Sequence, residues 1–113
     1  MQLSEESNSA KFQIHQYGVG EIWVNNEPYT HAICVAPTFC VPWEPYNFEL
    51  VMAKKPKVVL IGTGAQHQVL SLALLAPLIQ ARIGFEVMST PAACRTYALL
   101  SADNRDIMAL LCL

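Results

Sequence analysis

Gly62, Thr63 and Gly64 follow a run of apolar residues, at the place where a phosphate-binding loop would begin. Glycines in such a loop let backbone N–H groups approach an anion near the start of a helix. The third glycine of a dinucleotide-binding motif would fall at His67, and the Lys-Ser/Thr pair of a Walker loop is absent. The turn therefore has two readings: a structural tight turn, which we favour, and an anion-binding loop.

Cys94 and Arg95 form a second pair of chemical interest. Both fall in the first turns of a helix that is predicted to begin at Pro91 with Thr90 as its cap, where the helix dipole would lower the pKa of a thiol. We favour the alternative that Cys94 packs as a small apolar residue. A cation near a helix N-terminus is electrostatically disfavoured, so Arg95 should have an acidic or anionic partner. An ion pair with Glu86 in the preceding strand is favoured over contact with a ligand.

No complete catalytic or metal-binding set follows from the residue types. His67 and Cys94 could serve as base and nucleophile, but the sequence supplies no third group to orient them. His15 and His31 lie in predicted strands and share no ligand spacing. The cysteines form neither a C-x-x-C pair nor a zinc-finger pattern: they are Cys34, Cys40, Cys94 and Cys112. We expect reduced thiols, no metal, no cofactor and no enzymatic activity.

The composition points to one domain with a large apolar interior. The chain has 113 residues, of which 53% are apolar and 14% charged, so either the core is large or a partner covers part of the surface. Self-association and protein partners are therefore expected. The net charge is −2 and the local positive cluster is limited to Lys54, Lys55 and Lys57, which gives no case for nucleic acid.

Two segments bear on location. The longest apolar stretch, 69–79, is interrupted by Ser71 and Pro77 and is shorter than the roughly 20 residues that cross a bilayer, so no membrane span is expected. Residues 1–10 are polar and acidic and lack the features of a secretory signal. We expect 1–10 to be a disordered tail, 11–113 to be a single α/β domain, and the protein to be cytoplasmic.

The N-terminal part of the chain is predicted to be an antiparallel β meander. Alternating apolar and polar residues indicate strands over 12–17, 21–25 and 29–36, with Gly and Asn turns between them. A proline-rich segment follows and should be irregular. Its aromatic residues, Trp43, Tyr46 and Phe48, could form a partner surface, although closure over the protein's own core is favoured.

The rest of the chain alternates between strands and helices. Residues 57–61 are predicted to be the central buried strand. A helix over 71–82 would bury a face formed by Leu72, Leu75, Ile79 and Ile83. A strand over 85–88, a helix over 91–102 and a strand over 107–113 complete the pattern. The predicted fold is a three-layer α/β arrangement with a mixed central sheet, flanking helices and the N-terminal meander.

Three motifs occur together in a recognisable order: Ile-Gly-Thr-Gly at 61–64, Phe-Glu-Val-Met at 85–88 and Ala-Cys-Arg-Thr-Tyr at 93–97. The combination resembles a domain-of-unknown-function family of small three-layer α/β proteins. That family includes mitochondrial complex I assembly factor 3 and the adipogenesis-associated Mth938 domain-containing protein. The resemblance runs from residue 12 to the C-terminus and implies a non-enzymatic role in assembling a respiratory complex. Because no mitochondrial presequence is present, we expect a bacterial protein.

Two functions from different classes follow. The leading hypothesis is a protein-binding or assembly factor whose partners include respiratory-complex components or further copies of the chain. The alternative is a small-molecule or anion-binding domain that uses Gly62, Thr63, Gly64 and Arg95, with Cys94 beside them.

Overall fold

The computed structural model describes residues 10–103 and 106–113. The predicted tail, 1–10, lies outside the described residues except for Ala10, which is buried. Within the described residues the chain forms eight strands and three helices: β1 (Ile14–Gly18), β2 (Glu21–Val24), β3 (Glu27–Tyr29), β4 (Ile33–Ala36), β5 (Phe39–Pro42), α1 (Glu49–Lys54), β6 (Val58–Thr63), α2 (Leu72–Gln80), β7 (Gly84–Met88), α3 (Thr90–Ser101) and β8 (Ile107–Cys112).

The first three strands form a small antiparallel sheet in the order β1-β2-β3. This is the predicted meander, but the prediction made its third strand too long. The predicted strand over 29–36 is two strands, because β3 ends at Tyr29 and β4 begins at Ile33 in the other sheet. All four residues of β4 are buried, as expected for a strand covered on both faces.

The second sheet has five strands in the order β5-β4-β8-β6-β7. Strand β6 is parallel to β7 and β8, whereas β4 is antiparallel to β5 and β8, so the sheet is mixed, as predicted. The predicted central strand, β6, lies one place from the centre because β8 inserts between it and β4. Strand β5 was not predicted. It tolerates Pro42 because it lies at the sheet edge, where a missing N–H breaks no ladder.

Each face of the five-stranded sheet buries its own apolar cluster. On one face α1 and α2 contribute Val51, Leu75 and Leu78. On the other face α3 packs together with the small sheet, which adds Ile14 and Ile22. The fold therefore has three layers, and α3 lies between the β6–β8 pair and β1.

Two local predictions about the helices were wrong. Thr90 was expected to cap α3, but Ser89 is the cap, and its side chain accepts a hydrogen bond from the Ala92 amide at 3.3 Å. In α2, Leu75 and Leu78 are buried, whereas Leu72 is 76% exposed and Ile79 is 46% exposed. Half of the predicted buried face of α2 therefore points to solvent.

Candidate functional site

The carboxyl end of β6 meets the start of α3 at the Gly-Thr-Gly turn. A Cβ atom on Gly62 would lie 2.8 Å from Thr90 Oγ1 and 2.9 Å from Thr90 Cα, so only glycine allows the strand and the helix to come this close. Gly64 has a φ of 109°, a backbone angle that residues other than glycine rarely adopt. Both glycines are thus explained by the junction of β6 with α3.

Thr90 closes this junction with hydrogen bonds. Its hydroxyl accepts from the Gly64 amide at 2.9 Å and donates to the Cys112 carbonyl at 2.6 Å. Its amide donates to the Gly64 carbonyl at 2.7 Å. The Gly64 N–H, which an anion-binding loop would direct at its ligand, is therefore engaged within the chain. Sequence reasoning treated Thr90 only as a cap; the signal it overlooked was Ser89, an equally good cap one position earlier.

Thr63 holds the loop that follows the turn. Its hydroxyl lies 2.8 Å from the Gln66 carbonyl, to which it donates, and accepts from the Gln68 amide at 3.1 Å. The side chain thus fixes the backbone of the loop where β6 ends. The arrangement supports a structural role for Thr63.

Cys94 lies on the buried side of α3. Desolvation raises the pKa of its thiol to about 12, and neighbouring Arg95 offsets this only in part. At neutral pH the thiol is protonated and is a poor nucleophile. His67 is exposed in the loop before α2 and does not line the cavity that Cys94 lines, so the structure does not assemble the base–nucleophile pair.

Arg95 lies on the rim of a cavity of about 130 Å³ between β1 and α3. The cavity is lined by Ile14, His15, Gln16, Tyr17, Pro91, Cys94 and Arg95. Glu86 is elsewhere: it is exposed on the edge strand β7, opposite Leu60 of β6. The predicted Glu86–Arg95 ion pair would thus join the edge strand β7 to a residue that lines the cavity beside β1.

The aromatic segment packs inward. Trp43 and Phe48 are only 8% and 6% exposed and belong to the cluster beneath α1 and α2. The Trp43 indole donates to the Asn47 carbonyl at 2.8 Å, and its ring meets Tyr46 edge-on at 5.6 Å. Burial raises the pKa of Tyr46, whose hydroxyl interacts with Cys112. Trp43 and Phe48 therefore close over the core, and Tyr46 packs against them half-buried.

A different surface is apolar and exposed. Val69 is 91% exposed, Leu72 is 76% exposed and Ile79 is 46% exposed. We call these residues the α2 stripe. The helix that carries Leu72 and Ile79 contains no charged residue, and its adjacent side is already buried through Leu75 and Leu78. Sequence periodicity could not identify this surface, because a helix that is apolar on all sides has no polar face to mark solvent.

In residues 10–103 and 106–113, no three His, Cys, Asp or Glu side chains are grouped so that they could hold a metal ion. Within the same ranges, no helix combines the length and apolar character needed to cross a membrane.

The mixed five-stranded sheet, the helices on both of its faces and the added meander define a class of small α/β domains. Residues 14–112 match the family described as "Protein of unknown function (DUF498/DUF598)", and the chain belongs to this family. This confirms the family predicted from the three motifs. Because the family's description names no function, membership fixes the fold and leaves the activity to be argued from the surface.

Similar proteins come from several bacteria. The chain is 26% identical to the "13 kDa major membrane protein" of Francisella tularensis subsp. holarctica, with 95% of each chain covered. A crystal structure from Bordetella parapertussis has a TM-score of 0.78 and 33% identity, covering 89% of this chain and 94% of that one. A solution structure from Bordetella pertussis, described as a Mth938-like domain, has a TM-score of 0.77 and 27% identity, covering 99% of this chain and 92% of that one. These likenesses confirm the predicted α/β fold.

Proposed function

We propose that this protein is a non-enzymatic binding factor that aids the assembly of a respiratory complex, with the α2 stripe as its contact surface. The exposure of Val69 and Leu72 carries the proposal. Burying a leucine or valine side chain contributes about 1.5–3 kcal/mol. An apolar strip that the protein's own fold leaves in water is thus a surface that a partner would stabilise by covering it.

The shape and charge of the stripe favour a protein partner with an apolar helix or groove. Leu72 and Ile79 are seven residues apart, about two helical turns, so they lie on the same side of α2. Because α2 carries no charge, a partner's apolar face would cover it without desolvating a charged side chain. The Francisella relative is called a major membrane protein, which supports a partner assembled at a membrane.

The test compares the tagged wild-type protein with Val69→Glu/Leu72→Glu in its native host. Leu99→Glu is the matched control, because Leu99 is 73% exposed but lies on α3, across the sheet from α2. Quantitative mass spectrometry should recover respiratory-complex subunits with the wild type and the control. The double variant should lose about tenfold or more of that recovery, since two buried apolar contacts exceed ~1.4 kcal/mol. Fractionation of the same cells tests the predicted cytoplasmic location.

Four results would contradict the proposal. The wild type could recover no respiratory-complex subunit, or the double variant could recover as much as Leu99→Glu. The double variant could instead turn a dimer into a monomer in sedimentation while subunit recovery stays unchanged, which would assign the stripe to contact between copies. Loss of liposome flotation without loss of subunits would assign it to a lipid surface.

A small-molecule site between β1 and α3 is the second candidate function. The cavity of about 130 Å³ has an apolar wall formed by Ile14 and Pro91 and a guanidinium from Arg95. A small cavity with one cation suits a short carboxylate. Acetate, propionate and butyrate should raise the melting temperature of the wild type and leave that of Arg95→Gln unchanged. No shift with any of them would remove this candidate.

A further inference from the structure

We infer that a second cavity, at the end of the five-stranded sheet where β6 and β7 begin, binds a phosphate-bearing ligand. Its volume is about 490 Å³, which falls within the roughly 300–1,000 Å³ of small-molecule sites. It lies between the end of α1, the start of β6 and the end of α2. Its lining residues are Met52, Lys55, Pro56, Lys57, Ala81, Arg82 and Ile83.

Positive charge converges on this cavity. Lys55, Lys57 and Arg82 line it, which are three of the seven Lys and Arg residues in a chain whose net charge is −2. All three are exposed, and among the residues that the structure describes no carboxylate lines the cavity. Asp106 meets Lys57 through its backbone carbonyl, at 3.1 Å from the Lys57 amide. Phosphate oxygens accept strong, charge-assisted hydrogen bonds from such ammonium and guanidinium groups.

Neighbouring Lys54 does not line this cavity. Its Nζ lies 5.5 Å from the centre of the Phe39 ring, in a cation–π contact outside the cavity. Lys54 thus provides a cation that is adjacent in sequence but separate from the proposed site.

The backbone at two of these cations is the conformation that glycine favours. Lys55 has a φ of 48° and Arg82 a φ of 56°, and each comes just after a helix, where a left-handed residue is usually glycine. The helix dipoles account for one cation at each helix end. They do not account for Lys57, which precedes β6 and belongs to neither helix. The cavity is the feature that all three cations share.

The ligand is recognised by its phosphate groups, which a soluble diphosphate and an anionic lipid headgroup both carry. This site is independent of the α2 stripe, since Val69, Leu72 and Ile79 do not line the cavity. Success or failure here therefore leaves the assembly proposal unchanged.

The experiment measures binding of pyrophosphate by titration calorimetry and of phosphatidylglycerol vesicles by flotation, with pure phosphatidylcholine vesicles for comparison. The test variant is Lys55→Gly/Arg82→Gly, and the control is Lys11→Gln/Lys54→Gln, which removes the same charge elsewhere. We expect the control to bind like the wild type and the test variant to bind about tenfold or more weakly. Its melting temperature without ligand should be equal to or above that of the wild type, because glycine relaxes the left-handed backbone.

The test variant should thus lose affinity for the ligand without losing stability, which distinguishes a binding role of Lys55 and Arg82 from a structural one. Flotation with phosphatidylglycerol without pyrophosphate binding would assign the site to a lipid headgroup. The inference is overturned if the wild type binds neither probe, or if Lys11→Gln/Lys54→Gln weakens binding as much as the test variant does. Lys57→Gln, which leaves the left-handed positions untouched, should show the same weakening if the glycine variant does not fold.

Discussion

Thr90 is the residue on which the junction of β6 with α3 depends. It is fully buried, and its hydroxyl and amide join Gly64 and Cys112 to the first turn of α3. A buried hydroxyl without partners would be destabilising, so these bonds explain how a polar side chain is accommodated here. Gly62 completes the junction because it leaves room for Thr90.

Replacing Gly62 with alanine should lower the free energy of unfolding by about 1–3 kcal/mol, as for other overpacked positions. The added Cβ would lie within 2.9 Å of Thr90 Cα, which is backbone and cannot rotate away. Gly18→Ala is the control, since its Cβ would be no closer than 3.5 Å to the Glu21 side chain. That change should stay within about 0.5 kcal/mol. Urea unfolding followed by circular dichroism compares the two; equal losses would contradict the close-approach explanation.

The buried thiols should make stability depend on alkaline pH. Burial raises the pKa of Cys34 and of Cys94 to about 12, compared with about 8.5 in an unfolded chain. The folded state holds these protons more tightly, so the stabilisation is complete below about pH 8.5 and is lost as the pH rises toward 12. Each group contributes a slope of at most ~1.4 kcal/mol per pH unit.

Urea unfolding of the wild type and Cys94→Ala at neutral pH and at several alkaline values measures this dependence. The variant should show the shallower decline, because one titrating thiol has been removed. Parallel declines would mean that Cys94 ionises equally easily in the folded and unfolded chains.

At the scale of elements, α2 shows why a helix can be predicted while its orientation is not. Apolar residues occupy nearly every position from Leu72 to Ile79, so the spacing that suggested one buried face fits others equally well. The sheet covers the side that carries Leu75 and Leu78, and the α2 stripe stays outside.

Pro77 in the middle of α2 should reduce stability. It has no N–H to donate to the preceding turn, and its ring crowds the carbonyl of Ala73. Because Pro77 is exposed, Pro77→Ala removes no core packing. We expect the free energy of unfolding to rise by about 1–2 kcal/mol, less than the full helix penalty of ~3 because the unfolded chain also gains freedom.

Pro45→Ala is the matched control for this change. Pro45 is exposed and lies outside the helices, so only the unfolded chain gains freedom and stability should fall slightly. If Pro77→Ala lowered the free energy of unfolding by as much as Pro45→Ala does, Pro77 would not destabilise α2.

At the scale of the whole molecule, β8 and β6 form the wall shared by both apolar clusters. Residues from these strands are buried on both faces of the sheet, and Leu60 and Ala109 pair directly. The small sheet adds to one cluster only. The segment that leads into β1 is held to α3 by the Tyr97 hydroxyl, which donates to the Phe12 carbonyl at 2.7 Å.

Hydrogen exchange should reflect this arrangement. Amides of β6 and β8 should exchange most slowly, near the rate set by global unfolding, and those of β1–β3 should exchange faster through a smaller opening. Exchange followed by mass spectrometry measures the order. Equal protection in the small sheet and in β8 would show that the molecule opens only as one unit.

Local patterns in the sequence determined much of the fold. The apolar run at 58–61 and the glycine turns were sufficient for the α/β class and the meander, because both depend on residues that are neighbours in the chain. The family followed from the resemblance that the three motifs carry. The burial of Cys94 and the aromatic segment also agrees with the readings that residue type alone favoured.

Tertiary structure decided the rest. Strand β8 is central, Arg95 lines a cavity beside β1, and the α2 stripe is exposed. Lys55, Lys57 and Arg82 share a second cavity. All of these features depend on which distant segments meet. A helix or strand pattern reports how much apolar surface an element carries. Only packing against residues far away in sequence decides which side of it is covered, and this is why the candidate surfaces emerged from the structure.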